Sequence, residues 1–208
     1  VEALATCDDG LWVIRNPNFE SVGHSASVVI DRLAPGGGRS WTLKTDRGHL
    51  GFREAACSGS RLVAVGSTEV GDDSTDLIAE IDVRTGRSTL VPVKGIEPEQ
   101  NRSDGYYFKA ASMTADGFHV VIEPADGVTE GPHELLRIDP ATGEATRLAA
   151  IEDEAELDME VRVQGDHLYV LDVNHDTDSR LRAYRLSDGE LVGTRTFEPL
   201  DAKLIVLG

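Results

Sequence analysis

Basic side chains are in short supply in this sequence, twenty against thirty-seven acidic ones, which leaves a net charge of −17. That balance excludes a nucleic-acid backbone as partner, because phosphate binding needs a basic face. It also argues against adsorption to an anionic membrane surface. No apolar run approaches 18 residues, so no transmembrane helix is expected. Aromatic residues make up only 5%. The chemical signatures of several enzyme classes are missing too: no H-E-x-x-H pair, no zinc-ligand spacing, no G-x-S-x-G elbow, no P-loop and no G-x-G-x-x-G. Gly36-Gly37-Gly38 is a flexible turn, since no helix follows it to complete a phosphate cradle. Lysine is rare beside arginine, four to sixteen, a bias expected of a high-GC genome such as an actinobacterial one, with a salt-adapted proteome as the alternative. The chain begins at Val1 with neither an initiator methionine nor a signal-like segment, and is expected to be a processed mature protein or a fragment.

What is present is a repeated hairpin. Glu134–Leu148 (ELLRIDPATGEATRL) reads as two short strands around a turn made by Asp139, Pro140, Thr142 and Gly143. Ile81-Asp82-Val-Arg-Thr85-Gly86-Arg-Ser-Thr-Leu90 is nearly the same text, and Tyr184–Leu191 is a looser copy. Ile30-Asp31 followed by Pro35–Gly38 is the loosest. A second series runs in step with it: the apolar runs starting at Leu11, Leu62, Phe118 and Leu168 are separated by 51, 56 and 50 residues. The turn glycines Gly38, Gly86, Gly143 and Gly189 are separated by 48, 57 and 46. Each apolar run follows a polar turn and another short strand.

Four short antiparallel strands in about 50 residues is the pattern of a β-propeller blade. The expected fold is therefore all-β, a single propeller domain over 1–208. Its four blades are expected at about 1–48, 49–104, 105–155 and 156–200, with 201–208 as an extra strand. A two-sheet sandwich would not repeat its turn text in register. The run Ile151–Glu160 has room for one helical turn but falls where a blade-to-blade connection belongs.

The (Leu/Ile)-x-x-Ile-Asp-x-x-Thr-Gly-x-x-x-x-Leu text resembles the outer hairpin of bacterial propellers of the quinoprotein-like, YVTN-type and WD-repeat-like groups. The Trp-Asp and Gly-His marks of true WD repeats are missing. Lys203–Leu207 is either the closing seam of a four-bladed ring or the first strand of a further blade in a larger propeller, with another chain as one means of completing it.

Short A–B and C–D turns and long B–C and D–A connections are expected at opposite ends of the strands, with any site on the long-loop face. The candidate ligand-binding residues there are His24, His49, Asp104, Tyr106, Tyr107, His133 and His175. Asp172, Asn174, Asp176 and Asp178 offer oxygen at alternate positions, as a hard cation requires, which makes calcium the candidate cofactor. The pattern lacks the glycine and glutamate of an EF-hand loop, and a solvated acidic hairpin loop is the plainer reading. Asp72–Asp76 is a second acidic candidate. His119 and His167 are expected to be structural.

Cys7 and Cys57 both end a first strand, in adjacent blades. A disulfide requires their Cα atoms to lie within about 7 Å. Met113 and Val163 fill the matching places elsewhere, so a generic apolar slot is the alternative. A bridge would indicate an extracytoplasmic setting. The leading expectation is a secreted or cell-surface binding module for a protein or glycan, without a catalytic set. The alternatives are a divalent-metal-dependent propeller hydrolase or lyase, with Asp172 or Asp176 as ligands and His175 as base, and a structural subunit whose ring a partner completes.

Overall fold

The structure, a computed structural model, describes residues 2–16, 27–33, 38–44, 49–70, 73–96, 106–124, 132–151, 158–173 and 178–198. Among them the chain forms sixteen strands and no helix. The first sheet holds β1 (Ala3–Cys7), β2 (Gly10–Arg15), β3 (Ser27–Leu33) and β4 (Ser40–Lys44). The second holds β5 (His49–Ser58), β6 (Arg61–Val70), β7 (Asp73–Asp82) and β8 (Ser88–Pro92). The third holds β9 (Tyr106–Thr114), β10 (Gly117–Pro124), β11 (His133–Ile138) and β12 (Ala145–Ile151). The fourth holds β13 (Asp158–Gln164), β14 (His167–Val173), β15 (Ser179–Arg185) and β16 (Leu191–Phe197). Every sheet is an antiparallel meander in sequence order, the construction of a propeller blade.

The chain divides into two compact units, one of 1–96 with 111–118 and 138–145, the other of 97–110, 119–137 and 146–208. In the first unit the core alternates with period two along each strand: Trp12 and Ile14 on β2, Val28 and Ile30 on β3, Leu62 and Ala64 on β6, Leu77, Ala79 and Ile81 on β7. Val63, Val65 and Ile78, which point the other way from the second sheet, are equally buried. The second unit packs Val121, Leu135 and Ile151 with Val161, Leu168, Val170, Tyr184 and Leu186.

The recurring turn glycine has two reasons to be glycine. Gly86, Gly143 and Gly189 have φ of 73°, 75° and 75°, the left-handed region that side chains disfavour. Each amide donates to the carbonyl at the head of its turn: Gly86 to Asp82 at 2.7 Å, Gly143 to Asp139 and Gly189 to Arg185, both at 2.8 Å. Each also sits against the outer strand of the preceding sheet. A Cβ on Gly86 would lie 2.5 Å from Cε3 of Trp41, and one on Gly189 would lie 2.5 Å from the carbonyl oxygen of Leu148. On Gly143 it would overlap the carbonyl oxygen of Pro92. The indole Nε1 of Trp41 secures the first seat by donating to the Val83 carbonyl at 3.0 Å. At the second, the Lys94 amide donates to the Gly143 carbonyl and the Ala145 amide to the Lys94 carbonyl, both at 2.8 Å.

The connections between strands are shorter than the sequence suggests. Within 67–76, expected as a long connection, residues 67–70 and 73–76 run as strand, with Ser67 opposite Asp76 and Val70 opposite Asp73, while 71–72 lie outside the described residues. Of the Asp72–Asp76 candidate, Ser74, Thr75 and Asp76 lie in β7, where extended backbone sends successive side chains to opposite faces; Asp72 lies outside the described residues, and of Asp73 only the backbone is described. His49–Arg53 extends β5, because Leu50 and Phe52 have core to fill and a register shift between Phe52 and Glu54 accommodates them. Tyr106 and Tyr107 belong to β9, and His133 opens β11. The extra strand expected at 201–208 lies outside the described residues.

Candidate functional site

At the strand ends of the third sheet that adjoin its long connections, four polar or aromatic groups come together in the second unit. β9 alternates there: Phe108 is buried, while Tyr107 and Lys109 on either side of it are exposed. Tyr106 meets Phe108 edge to face, ring centres 5.4 Å apart, which fixes the start of the strand. The Lys109 ammonium pairs with Oε2 of Glu123, near the end of β10. The other carboxylate oxygen, Oε1, is 3.3 Å from Nε2 of His133, the first residue of β11. His133 is only 4% exposed, whereas Tyr107 is 47% exposed. Glu123 thus joins a surface ammonium to a buried imidazole, with an open tyrosine ring two residues along the strand. Such a patch offers a flat apolar face, a donor and an acceptor at one surface, a combination suited to holding a polar ligand with C–H faces.

A second polar cluster is internal. Asp172 is 1% exposed. Its Oδ1 accepts from Nη2 of Arg182 at 2.8 Å, and Nη1 of Arg182 donates to the Tyr184 hydroxyl at 3.1 Å. Burial works against the Arg182 charge, but the bond to Asp172 and the charge on it outweigh that and hold the guanidinium above its ordinary range. Asp172, a candidate calcium ligand by sequence, is therefore tied into the fourth sheet by an ion pair that neutralises it. Arg182 also borders an open groove of about 460 Å³ shared with Ala149, Ala150, Arg180, Gly189, Leu191 and Thr194.

Of the other residues singled out by sequence, Asp178 is described and exposed, while Asn174, Asp176 and His175 lie outside the described residues. So do His24 and Asp104, and of His49 only the backbone, in β5, is described. Tyr106, Tyr107 and His133 are brought to one end of the third sheet. His119 is fully buried, and Nδ1 of the half-exposed His167 lies 2.6 Å from Oδ1 of Asp166. Among the described residues no three His, Cys, Asp or Glu side chains gather as a metal-binding group. Sequence reasoning passed over Lys109, Glu123 and Arg182. Arg182 carried a signal: Arg180-x-Arg182-x-Tyr184 alternates on one face of a strand that pairs with the strand bearing Asp172.

Cys7 and Cys57 form a disulfide with Cα atoms 5.1 Å apart. The first strands of the first and second sheets run close enough in this unit to be bridged, which the sequence left open.

No family model matches the sequence, and no curated protein matches it. Solved structures do. Apo AztD from Citrobacter koseri superposes with a TM-score of 0.51 at 11% identity, over 95% of this chain and 47% of that one. A putative 6-phosphogluconolactonase from Bacteroides uniformis gives 0.51 at 14% identity, over 95% and 56%. The Trypanosoma rangeli sialidase gives 0.52 at 14% identity, over 91% and 36%. Together with the four meander sheets, these similarities establish a propeller-type fold. The chain spans about half the length of the first two and about a third of the sialidase.

Proposed function

We propose that this chain is an extracytoplasmic propeller-type binding module that holds a glycan at the loop end of its third sheet. The observation that carries the reading is the exposed Tyr107 ring beside the Lys109–Glu123–His133 chain. An aromatic face accepts the apolar side of a sugar, and the ammonium and carboxylate beside it serve its hydroxyls. The Cys7–Cys57 disulfide supports the extracytoplasmic setting, since such bonds persist in oxidising compartments. The net charge of −17 favours a neutral or basic ligand over an acidic one. The test is a glycan array probed with the oxidised chain and with Tyr107→Ala. Binding to neutral glycans that the substitution weakens by about tenfold or more supports the reading, on the scale of a buried aromatic contact. Binding to basic proteins alone would instead make the ligand a protein.

A second reading, a propeller hydrolase, draws on the His133–Glu123 pair, an arrangement in which a carboxylate orients an imidazole for proton transfer. Structures of similar fold include a sialidase and a putative 6-phosphogluconolactonase. Turnover of a glycoside or lactone by the wild-type chain, lost in His133→Gln with binding intact, would favour this reading.

A further inference from the structure

The groove bordered by Arg182 shares no residue with the candidate site, and all of its lining residues belong to the second unit. Strand register accounts for that lining. Arg180, Arg182 and Tyr184 alternate along β15 and so share one face. On β16 Thr194 stands opposite Arg182, and Leu191 opposite Tyr184. Ala149 of β12, packed with the core of this unit, bounds the other side, and so small a side chain leaves the space open. Two of the lining residues are cationic and none is acidic, in a chain whose net charge is −17. Arg182 is only 7% exposed. Its Nη1 and Nη2 each donate once, to Tyr184 and Asp172, while Nε has no hydrogen-bond partner among the described residues. Buried donors are nearly always bonded, and a guanidinium has more N–H groups than the internal pair uses.

We propose that this groove binds the carboxylate of a small organic acid, with Arg182 and Arg180 as donors and with Ala149 and Leu191 against the acid's apolar body. The planar guanidinium fork matches a carboxylate in shape and in charge. Asp172 already balances the charge of Arg182, so a group with a single negative charge fits better than a dianion such as phosphate. The Thr194 hydroxyl, opposite Arg182, supplies a further donor. Apolar walls around a few convergent polar groups are the usual make-up of a small-molecule site, and about 460 Å³ falls within the usual range of about 300–1,000 Å³. The charge of the whole chain opposes the approach of an anion, but physiological salt screens it beyond about 8 Å, whereas the two arginines act at contact.

The test is a titration of the isotope-labelled, oxidised chain with sodium butyrate, with sodium chloride holding the ionic strength constant, followed in nitrogen–proton correlation spectra. The expected result is a saturable shift of the Arg182 Nε–H and of the amides of residues 149–150 and 191–194. Sodium phosphate should bind about tenfold more weakly or worse. Removing Arg182 would disturb the buried pair with Asp172, so two half-buried positions carry the comparison instead. Arg180→Gln should weaken butyrate binding by about tenfold, the scale of one charged donor. Ala149→Leu should weaken it at least as much by filling the groove. Far-ultraviolet circular dichroism checks that both variants fold. A shift no larger than sodium chloride alone produces, binding that either folded variant leaves unchanged, or phosphate bound as tightly as butyrate would each overturn the proposal.

Discussion

Breaking the Cys7–Cys57 bridge should destabilise the first unit and leave the second untouched. The bond closes a stretch of 50 residues between the first strands of adjacent sheets. A loop of that length restricts the unfolded chain by an amount equivalent to about 4 kcal/mol. At about 2–4 °C per kcal/mol for a chain of this size, the melting midpoint should fall by about 8–16 °C. The assay is calorimetry of the oxidised protein, the reduced protein and Cys7→Ala/Cys57→Ala. The double variant should fall slightly further than the reduced protein, because Cys7 is buried and its sulfur fills core volume. Hydrogen exchange assigns the loss to its place: the amides of β1, β2, β5 and β6 should exchange faster, those of β13 to β16 unchanged. A reduced protein that melts within about 2 °C of the oxidised one would refute the loop-entropy argument.

Other substitutions separate the effects described for the hairpins and the fourth sheet. Gly143→Ala should cost clearly more than Gly165→Ala by chemical denaturation. Both glycines have positive φ, worth about 1–2 kcal/mol against an L side chain, but only Gly143 also faces the Pro92 carbonyl, while nothing lies near Gly165. Arg182→Met should cost about 3–5 kcal/mol by leaving Asp172 buried and charged, and adding Asp172→Asn should recover most of it, a double-mutant cycle that reads the pair directly. Stability should also fall in acid. Backbone amides of Arg84 and Glu190 hold Asp82 and Asp188 below their usual range; at Asp31 burial pushes upward, and bonds from Ser40 and Arg15 outweigh it. Carboxyls depressed in the folded state stabilise it above their unfolded pKa of about 3.9 and lose that contribution as pH falls through the folded values. The midpoint should hold down to about pH 4 and decline below it, less steeply in Asp82→Asn/Asp188→Asn, which keeps the turn acceptors and removes the charge.

The hairpins were legible because turn chemistry is local. Asp82 and Asp139 accept the amides two residues on, at 2.9 and 2.8 Å, and the glycines follow where φ turns positive. Those requirements are written in consecutive residues, and their recurrence counts the sheets. What Gly86, Gly143 and Gly189 rest against was not legible, since Trp41, Pro92 and Leu148 belong to the preceding sheet and only the folded chain brings them near. Asp172 misled for a related reason. A run rich in Asp and Asn reads as loop, yet β14 continues to Val173, and Arg182, ten residues away, makes the buried carboxylate tolerable. Tyr106, Tyr107 and His133 were picked out as polar or aromatic residues near long connections. Lys109 and Glu123 sit within strands and carry no local mark, and their pairing appears only when β9, β10 and β11 are laid side by side. The cysteines were visible, but whether their strands come within reach depends on how two sheets pack.

Binding of a glycan at the loop end of the third sheet has a direct readout. Amide hydrogen exchange with and without the best neutral glycan from the array tests it most directly. Added protection is expected in residues 106–109, 121–124 and 133–135, abolished by Tyr107→Ala. Protection confined to the fourth sheet, or unchanged by that substitution, would contradict it.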